Sequence, residues 1–127
     1  MEIFQFDRRE KVIERYGSAG LHATQVAACH GEVQVTCLAL AVGGVIGTHP
    51  ATGTQLFLVV AGEGWVAGPD GQRVPVSAGF GARWAAGEEH TSGTETGLMA
   101  LAVEGDAIDL FHLTHATVRL LSDRAIR

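Results

Sequence analysis

Glycine recurs at short intervals along the chain, and this spacing limits regular structure to short segments joined by tight turns. The 127 residues include 17 glycines. The segment QLFLVV at 55–60 is β-branched and aromatic, as strands are. GPDGQ at 68–72 is a turn, because Pro69 presets φ, Asp70 can bond its own backbone and Gly71 tolerates positive φ. Turn signals at this regular spacing predict an all-β sandwich or barrel.

Two further segments of the middle region give specific strand predictions. Residues 32–40, EVQVTCLAL, alternate Val33, Val35 and Cys37 with polar residues, which indicates a strand with one buried face. QLFLVV ends at AGEG, and GWV restarts the apolar pattern after it. We therefore expect the segments on either side of AGEG to form a hairpin.

The two ends of the chain differ from the middle. DRREKVIERYG at 7–17 brings Val12, Ile13 and Tyr16 to one helical face, so one or two helical turns are expected there. IDLFHLTHATVRLLSDR at 108–124 has apolar or small residues at helical spacing: Leu110, Leu113, Thr117 and Leu121. We expect a short C-terminal helix packed on the barrel.

Composition excludes several classes of function. The formal net charge is -5, from 14 acidic and 9 basic residues with no basic cluster, so a nucleic-acid partner is not expected. The longest apolar run, CLALAVGGVIG, is shorter than the ~20 residues that span a bilayer, so no membrane span is expected. The charged N-terminal segment does not resemble a secretory signal, which predicts a cytoplasmic protein. The length predicts one domain over residues 1–127.

The two cysteines, Cys29 and Cys37, form neither a C-x-x-C pair nor a dense framework. We therefore expect them to be reduced, buried and structural.

Two histidines stand in segments framed by glycines. The first segment, GGVIGTHPATGTQLFLVVAG, contains His49 and ends at Gly62. The second segment, GFGARWAAGEEHTSGT, contains His90. In spacing the chain resembles the cupin superfamily, whose first motif is G-x5-H-x-H-x3,4-E-x6-G and whose second is G-x5-P-x-G-x2-H-x3-N. The first motif falls at 43–62 and the second at 79–94.

The motifs are degenerate in this chain. Ala51 stands where the first motif has its second histidine, and Gln55 stands where it has glutamate. Ala85 and Thr94 replace the proline and the asparagine of the second motif. The resemblance implies a small cupin-type β-barrel (a jelly roll, or double-stranded β-helix) whose metal, when present, is held by three histidines and one glutamate. It also implies a homodimer formed by sheet-to-sheet packing, for which Leu56, Leu58 and Val60 would supply an apolar outer face unless a C-terminal helix covers it.

Strand alternation gives a candidate site independently of the resemblance. If residues 45–49 and 55–60 are antiparallel strands, His49 and Gln55 lie on facing sides of the interior, and a later strand can bring His90 beside them. Two imidazoles and one amide oxygen can bind a divalent metal such as Zn, Fe, Ni or Mn, but a neutral amide is a weak replacement for a carboxylate ligand. Phe57 and Trp84 would form the apolar wall of the same pocket, or are plain core residues.

Two hypotheses follow for the function. The favoured one is a small-molecule-binding barrel without metal, in which His49, Gln55 and His90 act as hydrogen-bonding groups. The alternative is a metal-dependent enzyme of dioxygenase, isomerase or cyclase type, with the same three residues as ligands. The sequence names no substrate and leaves open whether the protein is an enzyme at all, because one fold hosts many activities.

Overall fold

The computed structural model describes residues 1–9 and 11–111, and within them the chain is nearly all β, as predicted. Ten strands follow one another along the described chain: β1 (Glu2–Gln5), β2 (Lys11–Ile13), β3 (Leu21–Ala23), β4 (Ala27–Leu40), β5 (Val45–Pro50), β6 (Thr54–Ala67), β7 (Arg73–Ser77), β8 (Phe80–Trp84), β9 (Glu89–Gly93) and β10 (Leu98–Leu110). One 3-10 turn spans Arg15–Gly17. Among the described residues, no helix is long and apolar enough to cross a membrane.

The strands form one eight-stranded antiparallel sheet and a separate β2–β3 ribbon. The main path runs β1-β8-β6-β10-β4, and β5, β7 and β9 join it through pairings of β5 with β9 and of β6 with β7 and β9. The first half of β6 lies between β10 and β8, whereas its second half pairs with β7 and β9. This one strand therefore connects the two halves of the barrel.

The hairpin predicted across AGEG is wrong. Residues 54–67 form a single strand that passes through Ala61–Gly64 without reversing. Gly62 has a φ of +80°, and the register with β10 shifts between Met99 and Ala100, so the strand bends here with a bulge. The turn predicted at 68–72 is confirmed: β6 and β7 pair around it, and the Gln72 N–H donates to Asp70 Oδ1 at 3.0 Å.

The N-terminal helical prediction is also wrong in most of its length. Val12 and Ile13 lie in β2, and only the single 3-10 turn at Arg15–Gly17 is helical. The ribbon pairing of β2 with β3 provides backbone hydrogen bonds that a two-turn helix would otherwise have to supply itself. The predicted C-terminal helix lies outside the described residues from position 112 onward, and the described part of that segment, up to Leu110, continues β10.

The interior is filled by one alternating side of the central strands. Phe57, Val59, Ala82, Trp84 and Ala100 are completely or almost completely buried in one cluster. The side of β8 that carries Ala82 and Trp84 is therefore the interior.

On β4 the structure reverses the expected faces. Leu38 and Leu40 pack on the core, whereas Val35 is 62% exposed and Cys37 is exposed. Cys29 is exposed as well, so the prediction that both cysteines are buried is wrong. The physical reason is that a period of two does not say which side of a strand is the interior, and on β4 the interior side carries Leu38 and Leu40.

The outer face of β6 is covered in part by the chain itself. Leu56 is 1% exposed and packs with Phe4 and Ile108, whereas Val60 remains 43% exposed. The homodimer therefore stays a prediction, and light scattering at micromolar concentration is the measurement that tests it.

Gly62 offers a stability test with a matched control. A Cβ at Gly62 would overlap the Gly97 carbonyl oxygen, whereas Gly71 has a similar φ of +73° and open space around it. We expect Gly71→Ala to lower the free energy of unfolding by about 1 to 2 kcal/mol, the cost of left-handed backbone. Gly62→Ala should lower it by about 3 to 4 kcal/mol, because steric overlap adds to that cost. Urea denaturation measures both, and equal losses would show that β6 accommodates the methyl group freely.

Candidate functional site

His49 and His90 are brought together by the pairing of β5 with β9. The two residues are opposite each other in the register, and their ring centroids lie 4.3 Å apart with planes tilted by 58°. A register irregularity between Ile46 and His49 shows that β5 carries a bulge just before this point. His49 is exposed, whereas His90 is only 3% exposed.

Backbone carbonyls fix the protonation pattern of both rings. Nδ1 of His49 lies 2.7 Å from the Gly47 carbonyl oxygen, and Nδ1 of His90 lies 3.2 Å from that of Glu88. A carbonyl oxygen can only accept, so in each neutral ring Nδ1 carries the proton and Nε2 the lone pair. Both histidines therefore present an acceptor at Nε2.

Aromatic rings support His90 from inside the barrel. Trp84, which is fully buried on β8, stacks on His90 with centroids 4.4 Å apart and planes 24° apart. Phe57 on β6 packs against Trp84 with a centroid distance of 5.9 Å. These contacts fix the imidazole of His90 in one orientation.

A cavity of about 230 Å³ lies against these side chains. Its lining includes all five residues predicted from the sequence, namely His49, Gln55, Phe57, Trp84 and His90. The other lining residues are Thr36, Leu38, Ile46, Ser92, Ala102 and Glu104. The structure thus places the predicted residues around one space, and their role in binding stays a prediction.

Three buried polar atoms at this cavity have no hydrogen-bond partner within the described residues. They are Gln55 Oε1, Trp84 Nε1 and His90 Nε2. The first and third are acceptors in the tautomer described above, and the indole N–H is a donor. An unpaired buried polar atom costs about 1 to 3 kcal/mol, so three of them in one place indicate a cost that folding alone does not explain.

Burial lowers the pKa of His90. The loss of solvation is the largest cause, and the neighbouring His49 acts in the same direction. The hydrogen bond to the Glu88 carbonyl and the carboxylate of Glu104 partly oppose it. His90 therefore stays neutral at lower pH than an ordinary histidine does, and its Nε2 lone pair remains available there.

The positions that depart from the cupin motifs have structural roles. Ala51 is buried, its N–H donates to the Glu88 carbonyl and its carbonyl accepts from the Gly87 N–H. Thr94 is buried as well, and its hydroxyl donates to the Glu63 carbonyl and accepts from the Gly97 N–H. The side chains at 51 and 94 therefore do not contribute a metal-binding group.

Glu88 stabilises the turn before β9 rather than orienting an imidazole through its side chain. Its carboxylate accepts from the Ala85 N–H at 3.0 Å and from the Met1 ammonium at 2.9 Å. The ammonium and the Ala85 N–H lower the pKa of Glu88. Glu88 therefore contacts His90 through its backbone carbonyl, and the charge of its carboxylate acts on the pKa of His90 in the same direction as that hydrogen bond.

Glu104, the one carboxylate among the described residues that line the cavity, is not among the residues predicted from the sequence. Glu104 lies on β10, opposite Gln55 on the neighbouring strand β6. A sequence signal existed: Ala100 and Ala102 precede it at alternate positions of β10, and a carboxylate that continues such a buried series is unusual.

The donor set fits a metal ion only in part. The two Nε2 lone pairs and the Gln55 amide oxygen are three neutral donors at one cavity. However, no three His, Cys, Asp or Glu side chains within residues 1–9 and 11–111 are grouped closely enough to hold a metal ion. A metal here would thus have two imidazoles and no carboxylate among its ligands.

Comparison with solved structures gives consistent matches to one fold. A predicted oxalate decarboxylase from Thermotoga maritima is 29% identical with a TM-score of 0.51, and the match covers 61% of this chain and 65% of that one, slightly less than two thirds of its length. A cupin superfamily protein from Desulfitobacterium hafniense is 17% identical with a TM-score of 0.56, covering 81% of this chain and 97% of that one. An RmlC-like cupin family protein with a double-stranded β-helix fold from Methanocaldococcus jannaschii is 14% identical with a TM-score of 0.55, covering 59% and 71%. No protein-family model and no curated protein matches the chain.

The lowered pKa of His90 predicts a pH dependence of stability in chelator-treated protein. The unfolded chain gains a proton at this histidine near pH 6.5, whereas the folded protein gains it only at lower pH. The unfolded state therefore binds more protons in that window, and the free energy of unfolding should fall as the pH drops below about 6.5. His90→Gln should flatten this decline, and His30→Gln, at an exposed histidine, should not. Urea denaturation at pH 7.5 and 5.5 measures the effect, and parallel declines in all three proteins would contradict the assignment.

Proposed function

Because the chain has the cupin fold, as its motif spacing predicted, we propose that it binds a small polar molecule in the cavity lined by His49, Gln55 and His90. The observation that carries the proposal is the group of three buried polar atoms without a partner in the described residues. A ligand that accepts from Trp84 and donates to Gln55 and His90 would satisfy all three. Such a ligand would recover the free energy that burying these atoms without partners costs.

The size of the cavity restricts the ligand. About 230 Å³ is below the usual range for drug-sized ligands and corresponds to roughly eight water molecules at ~30 Å³ each. The Phe57 and Trp84 rings supply an apolar wall on one side. The ligand is therefore a small molecule with one flat or apolar part and a few polar atoms.

The oxalate activity named for the Thermotoga protein is not part of this proposal. A dicarboxylate needs cationic partners in a buried site, and the described residues that line the cavity include no lysine or arginine. Glu104 adds a negative charge to the lining instead.

Replacing Trp84 separates binding from stability. Trp84→Phe removes the indole N–H and keeps an aromatic ring, so ligands found by thermal-shift screening in the presence of a chelator should bind about five- to tenfold more weakly. The free energy of unfolding of the ligand-free protein should stay within about 2 kcal/mol of wild type, because loss of an unpaired buried donor offsets part of the lost ring volume.

Trp65 provides the matched control. Trp65 does not line this cavity, and the guanidinium of Arg73 lies over its indole ring, 3.8 Å from the ring centroid. Trp65→Phe should therefore leave the affinity unchanged. If Trp84→Phe and Trp65→Phe weaken binding equally, or neither does, the ligand does not occupy this cavity.

A metal-dependent enzyme is the second candidate, and one observation favours it. The Gly47 and Glu88 carbonyls hold Nδ1 of the two histidines, which leaves both Nε2 lone pairs for coordination, the usual arrangement for histidine ligands. A divalent cation held by His49, His90 and Gln55 would polarise an oxygen atom of the bound molecule. The partial fit of the donor set places this candidate second.

Elemental analysis decides between the two candidates. After growth in metal-supplemented medium, we expect purified wild-type protein to hold well below one equivalent of Zn, Fe, Ni or Mn, because two imidazoles and an amide bind weakly. Near-stoichiometric metal that is lost in His49→Ala and in His90→Ala, but kept in the exposed-site control His30→Ala, would make the enzyme the leading candidate.

A further inference from the structure

A second cavity adjoins the first at Glu104 and is more acidic. Its volume is about 290 Å³, and Glu104 lines both cavities. The lining of the second cavity is Glu32, Gln34, Thr52, Gly53, Glu104, Gly105 and Asp106. Three carboxylates and no basic residue of the described chain therefore surround the space beside the inner cavity.

The inner cavity has the same sign of charge. Glu104 is the one ionised side chain among its described lining residues. It forms no ion pair with a basic residue in the described part of the chain. A half-buried carboxylate in such a place is stabilised by a cation that enters with the ligand.

The buried neutral groups point to the same class of ligand. His90 and Gln55, which are 3% and 6% exposed, both line the cavity, and each carries a buried atom without a partner among the described residues, Nε2 and Oε1 respectively. Both atoms accept hydrogen bonds from an ammonium group, which has up to three N–H donors and no acceptor. The aromatic faces of Trp84 and Phe57 attract cations as well.

We infer that the ligand is a small organic cation, a primary or substituted ammonium that also carries a hydrogen-bond acceptor for Trp84 Nε1, and that it reaches the inner cavity past Glu32 and Asp106 and pairs with Glu104. This rests on the proposed function, because it assumes that the inner cavity is the binding site. It names the charge class that the proposed function left open. It also gives Glu104 the role of a specificity-determining residue that the cupin motifs do not contain.

Three probes of similar size and different charge test the inference. Benzylammonium, benzyl alcohol and benzoate are titrated by calorimetry into chelator-treated protein at pH 7. We expect benzylammonium to bind at least tenfold more tightly than benzyl alcohol, and benzoate to show no detectable binding. Raising the salt concentration from 50 to 500 mM should weaken the binding of benzylammonium and leave that of benzyl alcohol nearly unchanged, because salt screens the carboxylates.

Glu104→Gln is the decisive variant, and Glu95→Gln is its control. Glu104→Gln keeps the shape of the side chain and should reduce the preference for benzylammonium over benzyl alcohol to less than threefold. Glu95 lies at a separate groove on the outside of the barrel, so Glu95→Gln should leave the preference as in wild type. Equal losses in both variants would mean that general surface charge, and not Glu104, sets the preference, which overturns the inference.

The remaining outcomes separate this inference from the proposed function. Equal binding of benzylammonium and benzyl alcohol, with the binding of benzyl alcohol weakened by Trp84→Phe, would overturn the cation preference and keep the pocket. Tighter binding of benzoate would overturn it in the same way. Binding of benzyl alcohol, whose hydroxyl can accept from the indole N–H, that Trp84→Phe does not change would overturn the proposed function, and so would the absence of binding by all three probes together with no hit in the thermal-shift screen.

Discussion

The continuity of β6 is the constraint on which the rest of the described structure depends. Its first half pairs with β8 and β10 and its second half with β7 and β9, so its backbone hydrogen bonds join the two halves of the sheet. The bend at Gly62 lets one strand serve both halves, because glycine adopts positive φ without a steric cost and lacks a side chain where the Gly97 carbonyl approaches. Alternation along the same strand then turns Gln55 and Phe57 to the inside. The strand that joins the two halves of the sheet therefore also positions one wall of the cavity.

The site residues combine rigid support with unsatisfied polar atoms. His90 is held by the Glu88 carbonyl and by stacking on Trp84, so its Nε2 lone pair has a fixed direction. The same burial that fixes the ring removes water from Nε2, from Trp84 Nε1 and from Gln55 Oε1. A sequence selected for stability alone would fill these positions with apolar residues, which pack without this cost. Several unpaired buried polar atoms at one cavity, each of which lowers the stability of the fold, are typical of binding sites.

Sequence patterns predicted the class of fold, and the structure places the five residues predicted for the site around one cavity, where their role stays a prediction. The patterns failed where tertiary contacts override local signals. Motif spacing worked at His49 and His90 because the glycines around them, such as Gly43 and Gly87, have positive φ and fix the turns. Alternation failed on β4, where Val35 and Cys37 face outward, because period two does not say which side is the interior. The turn expected at AGEG failed because glycine marks a bulge as readily as a reversal.

The position of the negative charge explains why the cavity is better suited to an organic cation than to a metal ion. The cupin resemblance implies a glutamate at position 55, on the strand that faces His49, whereas this chain has the neutral Gln55 there and carries Glu104 opposite it on β10. Within the described residues, Glu104 does not group with the two histidines closely enough to complete a metal site. A metal ion needs its donors within about 2.0 to 2.2 Å of a single point, but an ammonium with its substituents spans several ångströms and can contact donors on separate strands. Compared with the cupin motif, the carboxylate stands on β10 instead of β6, and the cavity keeps the same net charge. This difference in position changes the geometry of the cation that the site can accept.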